Sequence, residues 1–290
     1  MNVAVIERLR LVTPLGIRFW DAATDQPLTS GLRVTARPEN FLQPVITAQP
    51  TRSGIYAFHH LPGLRDFEYA GNDFALEAPI PATKRYVIRV EDESNRFLPV
   101  AFVATAPFAG IFPTGLGSQS LPAPLGFDLF SSPVRSTPLG LAEVRADLLD
   151  VSQQPPVSGA NALMEIIAGP NQHYHGLSDA NGKATVFFPY PPVAIVLANS
   201  PPAGTMIALS EQRWKVRVRL RYSPGTVTGL AGVAEPNLRT VLEQTAGAAF
   251  LQSGAAGVEE FEQEIAFGKP TVLRTANHSE LWIRSRSSPP

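Results

Sequence analysis

One pattern occurs twice in this chain and restricts its fold more than any other feature. An apolar strand runs into a polar turn closed by proline. A second strand follows, and then a glycine opens an aromatic-rich strand that ends at another proline. The first copy fills residues 20–62, from Trp20-Asp21 through Gln26-Pro27 to Gly54-Ile55-Tyr56-Ala57-Phe58 and Leu61-Pro62. The second passes through Asp150-Val151, Gln154-Pro155 and Gly182-Lys183-Ala184-Thr185-Val186-Phe187-Phe188-Pro189, with one residue fewer in the turn and in the closing strand. Proline fixes φ and removes a ladder donor, and glycine admits positive φ, so such punctuation belongs to many short strands joined by turns. The 28 Pro and 22 Gly are enough to supply those turns, and a 44% hydrophobic content is too high for disorder along the whole chain. The expected class is all-β. A length of 290 residues leaves room for two cores.

The strands themselves show a period of two, which places one face in a core and the other in water. Leu32, Val34 and Ala36 alternate with Arg33, Thr35 and Arg37; Val144, Ala146 and Leu148 alternate with Glu143, Arg145 and Asp147. The most regular run sets Trp214, Val216, Val218, Leu220 and Tyr222 against Lys215, Arg217, Arg219 and Arg221. Four cations on one face would keep an edge strand from pairing with another chain, or meet an acidic partner. Asp179-Ala180-Asn181-Gly182 is the strongest hairpin signal, since the Asn-Gly pair supplies positive φ. Leu238, Val241, Leu242 and Thr245 behind Pro236 have helical spacing, which predicts a short helix. Residues 246–257 are rich in small side chains and read as flexible, and residues 66–81 as a loop. Serine and proline cluster at residues 131–138, which places a first unit at 1–133, a second at 134–225 and a C-terminal extension at 226–290 that carries the helix and candidate terminal strands at 260–267, 270–275 and 280–284.

Charge excludes one class of function. A net charge of −1 provides no basic field for nucleic acid, and near-neutrality favours association with other proteins. The absence of cysteine removes disulfides and thiolate metal sites. The first ten residues carry Glu7, Arg8 and Arg10 and do not form a signal peptide, so synthesis in the cytoplasm is expected. Residues 97–127 bear no charge, but five prolines rule out a membrane helix there. Phe108, Ile111, Phe112, Leu116 and Leu121 in that stretch have neither strand nor helix period. They are the candidate anchors of a protein interface, with capping of their own sandwich as the competing role.

Chemical signatures are sparse. His173 and His175 share one strand face and could ligate a metal, but the sequence places no carboxylate beside them; His59 and His60 face opposite ways. Asp179-Ala180-Asn181-Gly182 lacks the distal acid of a calcium loop, Gly115-Leu116-Gly117 precedes no helix, and no nucleophile elbow occurs. Glu259-Glu260 and Asp92-Glu93 read as solvated turn charges, and Asn277-His278-Ser279 is a silent sequon. No cofactor is expected.

The turn at Gln26-Pro27 with Gly54-Ile55-Tyr56-Ala57-Phe58, and the turn at Gln154-Pro155 with Gly182-Lys183-Ala184-Thr185-Val186, resemble the carboxypeptidase-regulatory, transthyretin-like family. That resemblance implies two immunoglobulin-like or transthyretin-like sandwiches. Phe19-Trp20-Asp21, His60-Leu61-Pro62-Gly63-Leu64-Arg65, Phe188-Pro189-Tyr190-Pro191 and Phe267-Gly268-Lys269-Pro270-Thr271-Val272-Leu273-Arg274 resemble an accessory protein of bacterial contractile injection systems, the phage-tail-like particles. It implies a non-enzymatic structural role in the baseplate, cage or cap, with other particle subunits and copies of the chain as partners, and release within an extracellular particle. It carries over no catalytic residue. The alternative is a carbohydrate- or surface-binding module using Trp20, Tyr56 and Tyr174, and a metal-dependent enzyme using His173 and His175 is the third reading.

Overall fold

The computed structural model describes residues 13–68, 82–107, 126–192 and 211–286. The first half contributes β1 (Leu15–Asp21), β2 (Gln26–Pro27), β3 (Leu32–Pro38), β4 (Ile46–Thr47), β5 (Gln49–Pro50), β6 (Ile55–Phe58), β7 (Lys84–Asp92), β8 (Val100–Ala106) and β9 (Gly126–Leu129). A single helical turn, α1 (Arg65–Glu68), stands where a loop was expected. β10 (Leu141–Asp150), β11 (Val157–Ser158), β12 (Leu163–Gly169), β13 (Gln172–Leu177), β14 (Lys183–Pro189) and β15 (Arg213–Arg221) follow. Then come α2 (Leu238–Leu242), β16 (Gly247–Phe250), β17 (Glu260–Ala266), β18 (Thr271–Leu273) and β19 (Leu281–Ser285). Among the described residues the fold is all-β apart from these short helical turns and a 3-10 turn at Pro224–Thr226.

Period-two strands with one apolar face must stack in pairs of sheets, and the cores show this stacking. One sheet runs β2-β1-β6-β5, with β9 parallel to β1; the sheet facing it runs β4-β3-β7-β8. Between them lie Ile17, Phe19, Tyr56 and Phe58 from the first sheet and Val34, Ile88, Val90 and Phe102 from the second. The second sandwich stacks β11-β10-β19-β16, with β14 and β18 also on β10, over β13-β12-β15-β17. Val144, Ala146, Val186, Phe188 and Ile283 meet Met164, Ile166, Val216, Val218 and Ile265 in its core. β7 is buried on both faces at its centre, as its Val87 beside Tyr86 and Ile88 suggested.

Several local expectations are corrected, each because a distant segment decides the outcome. Asp179–Gly182 is a tight turn: the Gly182 amide donates to the Asp179 carbonyl at 3.0 Å, and Gly182 has φ +80°. The strands that it joins do not pair with each other, however. β13 pairs with β12 and β14 pairs with β10, so the turn carries the chain from one sheet to the facing one. β15 is not an edge strand, because it lies between β12 and β17. Its cations meet an acidic strand of the same chain: Arg217 and Arg219 bind Glu260 at 2.8 and 2.7 Å, and Lys215 binds Glu262 at 3.2 Å. Glu260 therefore opens a strand, and its charge is paired rather than left to solvent. The Gly247–Phe250 stretch, expected to be flexible, is a strand paired with β19, with Ala248 and Ala249 buried. The helix is one turn long, with the Asn237 side chain accepting from the Arg239 amide at its start. The terminal strands β17, β18 and β19 pair with β15 and β10 and so complete the second sandwich.

Polar residues on the strands' outer faces are buried in places, Glu143 and Arg37 among them. Glu143 binds Thr137 and Arg145. Arg37 lies under the loop that follows β3, with its Nη1 donating to the carbonyls of Pro38 and Phe41 at 3.3 and 3.0 Å.

Candidate functional site

Two surfaces stand out. The first is a cleft of roughly 880 Å³ at the seam of the two sandwiches. β9 and the turn after β1 supply Asp128 and Asp25, and β13 supplies His173, Tyr174 and His175 on the opposite wall. The two histidines do share a face, as their alternation with Tyr174 requires. A carboxylate joins them after all. Glu165 of β12 lies across the ladder from His175, accepts from His173 Nδ1 at 2.8 Å and stands 3.6 Å from His175 Nε2. The sequence hid this contact because it depends on strand register.

Glu165 is also bound by Arg219 at 3.4 Å, with Arg221 at 4.0 Å. Burial pushes its carboxyl up, but the bond to His173 and the charges of His175, Arg219 and Arg221 outweigh burial and hold it below the ordinary range. Burial pushes His175 down; Arg221 and His173 add to this, and Glu165 and Asp128 oppose it. Asp128 is pushed up by burial and by Asp25, against the pull of His175. Among the described residues, no three His, Asp or Glu side chains are placed to hold one metal ion. Glu165 is engaged by two histidines and two arginines, so the cluster works as a bound charge network. His59 and His60 also converge, on buried Glu68, whose carboxylate accepts from the His60 amide at 2.8 and 2.9 Å and from His59 Nδ1 at 3.1 Å.

The candidate binding aromatics are dispersed. Tyr56 is fully buried in the first core, Trp20 is half-buried on β1, and Tyr174 lines the cleft with its ring stacked on Phe188 at 5.5 Å. Phe108, Ile111, Phe112, Leu116 and Leu121 lie outside the described residues.

The second surface was not anticipated. The loop after β3 exposes Phe41 at 66%, Leu42 at 61% and Val45 at 45%. Three large apolar side chains within five residues make a patch that water disfavours. Its sequence signal is slight: the run Phe41-Leu42-Gln43-Pro44-Val45 between polar Glu39-Asn40 and β4. The loop is held in place from beneath by Arg37 and by Glu39, which binds Arg85 at 3.1 Å.

No family model matches the chain, and no curated protein matches it. Three solved structures superpose loosely. They are the minor pilin GBS52 of Streptococcus agalactiae (8% identity, 96% of this chain and 98% of that one, TM-score 0.27), the Bacillus anthracis TIE protein (10%, 88% and 44%, TM-score 0.22) and a C-terminal fragment of the pilus adhesin SpaC from Lactobacillus rhamnosus GG (11%, 94% and 96%, TM-score 0.20). Likeness at this level identifies no family. No helix among the described residues is long and apolar enough to cross a membrane.

Proposed function

We propose that this chain is a non-enzymatic structural subunit of a phage-tail-like contractile injection particle, seated in its baseplate, cage or cap and working through protein contacts. The observation that carries the reading is the Phe41, Leu42 and Val45 patch, displayed on a loop fixed by buried Arg37. Apolar side chains held out in water stabilise a complex when a partner covers them. Two stacked sandwiches give such a loop a rigid mount, and a net charge of −1 offers little resistance to packing many subunits together. Phe108, Ile111, Phe112, Leu116 and Leu121 would be further anchors. The chain would be made in the bacterial cytoplasm and leave it within the particle.

The cleft favours a second reading, a carbohydrate- or surface-binding module. Tyr174 beside Asp25, Asp128, His173 and His175 would present hydrogen-bonding groups next to an aromatic ring, a combination that suits hydroxyl-rich ligands.

The test is fractionation. A tagged chain expressed in a bacterium with such particles should sediment with sheath and tube proteins at a fixed ratio. A chain found only in the free pool, with glycan-array binding lost in Tyr174→Ala, would replace the particle reading with the second one.

A further inference from the structure

Beneath the Phe41 loop the outer faces of β3 and β7 form a pocket of about 330 Å³, walled by Leu42 and Val45 on one side and by Gly232 and Val233 on the other. Three arginines line it, and their charges are not equally met. Arg89 is satisfied by Glu235 at 2.8 and 3.0 Å and by Glu91 at 3.1 Å. Arg37 is 6% exposed, and its Nη2 is buried without a hydrogen-bond acceptor among the described residues. Arg33 projects into solvent with no side-chain partner among them. Two carboxylates against three guanidinium groups leave the pocket with a net positive charge.

A buried guanidinium nitrogen lacking an acceptor is costly to keep, and a carboxylate is the natural complement of an arginine left with free N–H groups. The apolar rim narrows the partner further. Nucleic acid would need a broad basic field, which a chain of net charge −1 lacks. A peptide segment can place an acidic side chain against exposed Arg33, at the mouth of the pocket that Arg37 lines, and its apolar neighbours against Phe41 and Leu42.

We propose that this face docks a partner-protein segment in which Asp or Glu is flanked by large apolar residues. The proposal rests on the assembly reading and names the chemistry of the partner at the Phe41 surface.

The experiment selects a random-peptide phage library on the full-length protein and measures the winning synthetic peptide by fluorescence anisotropy. Enriched peptides should carry an acidic residue beside Leu or Phe, and higher salt should weaken them. Arg33→Gln should weaken binding about 10-fold and Phe41→Ser at least as much, as expected for truncated interface anchors. Arg33 is chosen because it is exposed and holds no loop, whereas Arg37→Gln would disturb the loop itself. The proposal is overturned if no peptide is enriched, if the winners lack an acid, if Arg33→Gln binds like the parent, or if a phosphoserine version of the peptide binds more tightly than the Glu version. Loss on Phe41→Ser with none on Arg33→Gln removes the carboxylate but leaves the assembly reading standing. Indifference to both substitutions removes both.

Discussion

Gly182→Val should lower the thermal midpoint by roughly 10 °C, given that a domain of this size loses a few degrees for each kcal/mol. Two costs act together. Gly182 has φ +80°, where a β-branched residue is strained by about 1–3 kcal/mol. A Cβ there would also stand 2.4 Å from the Leu148 carbonyl oxygen and 3.0 Å from the Gly159 amide nitrogen. Those two atoms bond each other at 2.8 Å, and the Leu148 amide donates back to the Gly182 carbonyl at 2.8 Å. Pushing the turn away would leave buried backbone groups unpaired, at about 1–3 kcal/mol more. Gly182→Asn separates the contributions, because Asn tolerates positive φ but still carries a Cβ. It should recover part of the loss and not all of it. A valine variant with the parent's midpoint would refute this account of the turn.

Asp21→Ala should cost about 3–5 kcal/mol, the usual penalty for stranding one member of a buried ion pair. Asp21 ends β1 and binds Arg135 through both oxygens, at 2.9 and 2.6 Å, with side chains only 7% and 11% exposed. The Ala23 amide and the Thr24 hydroxyl complete the carboxylate's shell at 2.9 and 3.0 Å. Arg135 lies 4.9 Å over the Phe97 ring and 5.7 Å from the Phe187 ring. It therefore ties the segment between the sandwiches to both. Asp21→Leu combined with Arg135→Met should cost far less than either truncation alone, because no buried charge is left behind. Burial pushes the Asp21 carboxyl up, but the Arg135 bond and the Ala23 amide outweigh it and the net shift is downward. A depressed native pKa gives stability that is present above the unfolded value near 3.8 and lost as the pH falls through the native one. Wild-type and Asp21→Ala stabilities should thus begin to converge below pH 3.8 and draw together as the pH falls through the lower native value. A variant equally stable at pH 7 would contradict the pair's role.

The sequence revealed the elements better than their neighbours. β3, β7, β10 and β15 follow from strict alternation, and Gly182 follows from the need for positive φ. Pairing partners were hidden wherever they come from far along the chain. The acidic β17 neutralises β15 across more than forty positions, and Glu165 meets His173 and His175 only through the β12–β13 register. Arg37 looked like an ordinary wet-face arginine because alternation says nothing of the loop that covers it. The Phe41 patch has no strong sequence signal, since exposure depends on packing and not on the run of apolar residues alone.

Replacing both Phe41 and Leu42 with Ser tests most directly whether the chain acts by being covered. Both side chains are more than half exposed, so the isolated variant should keep its thermal midpoint, with stability changed by less than about 0.5 kcal/mol. The same variant should no longer sediment with the particles that retain the parent chain. Retention at the parental ratio would contradict the account.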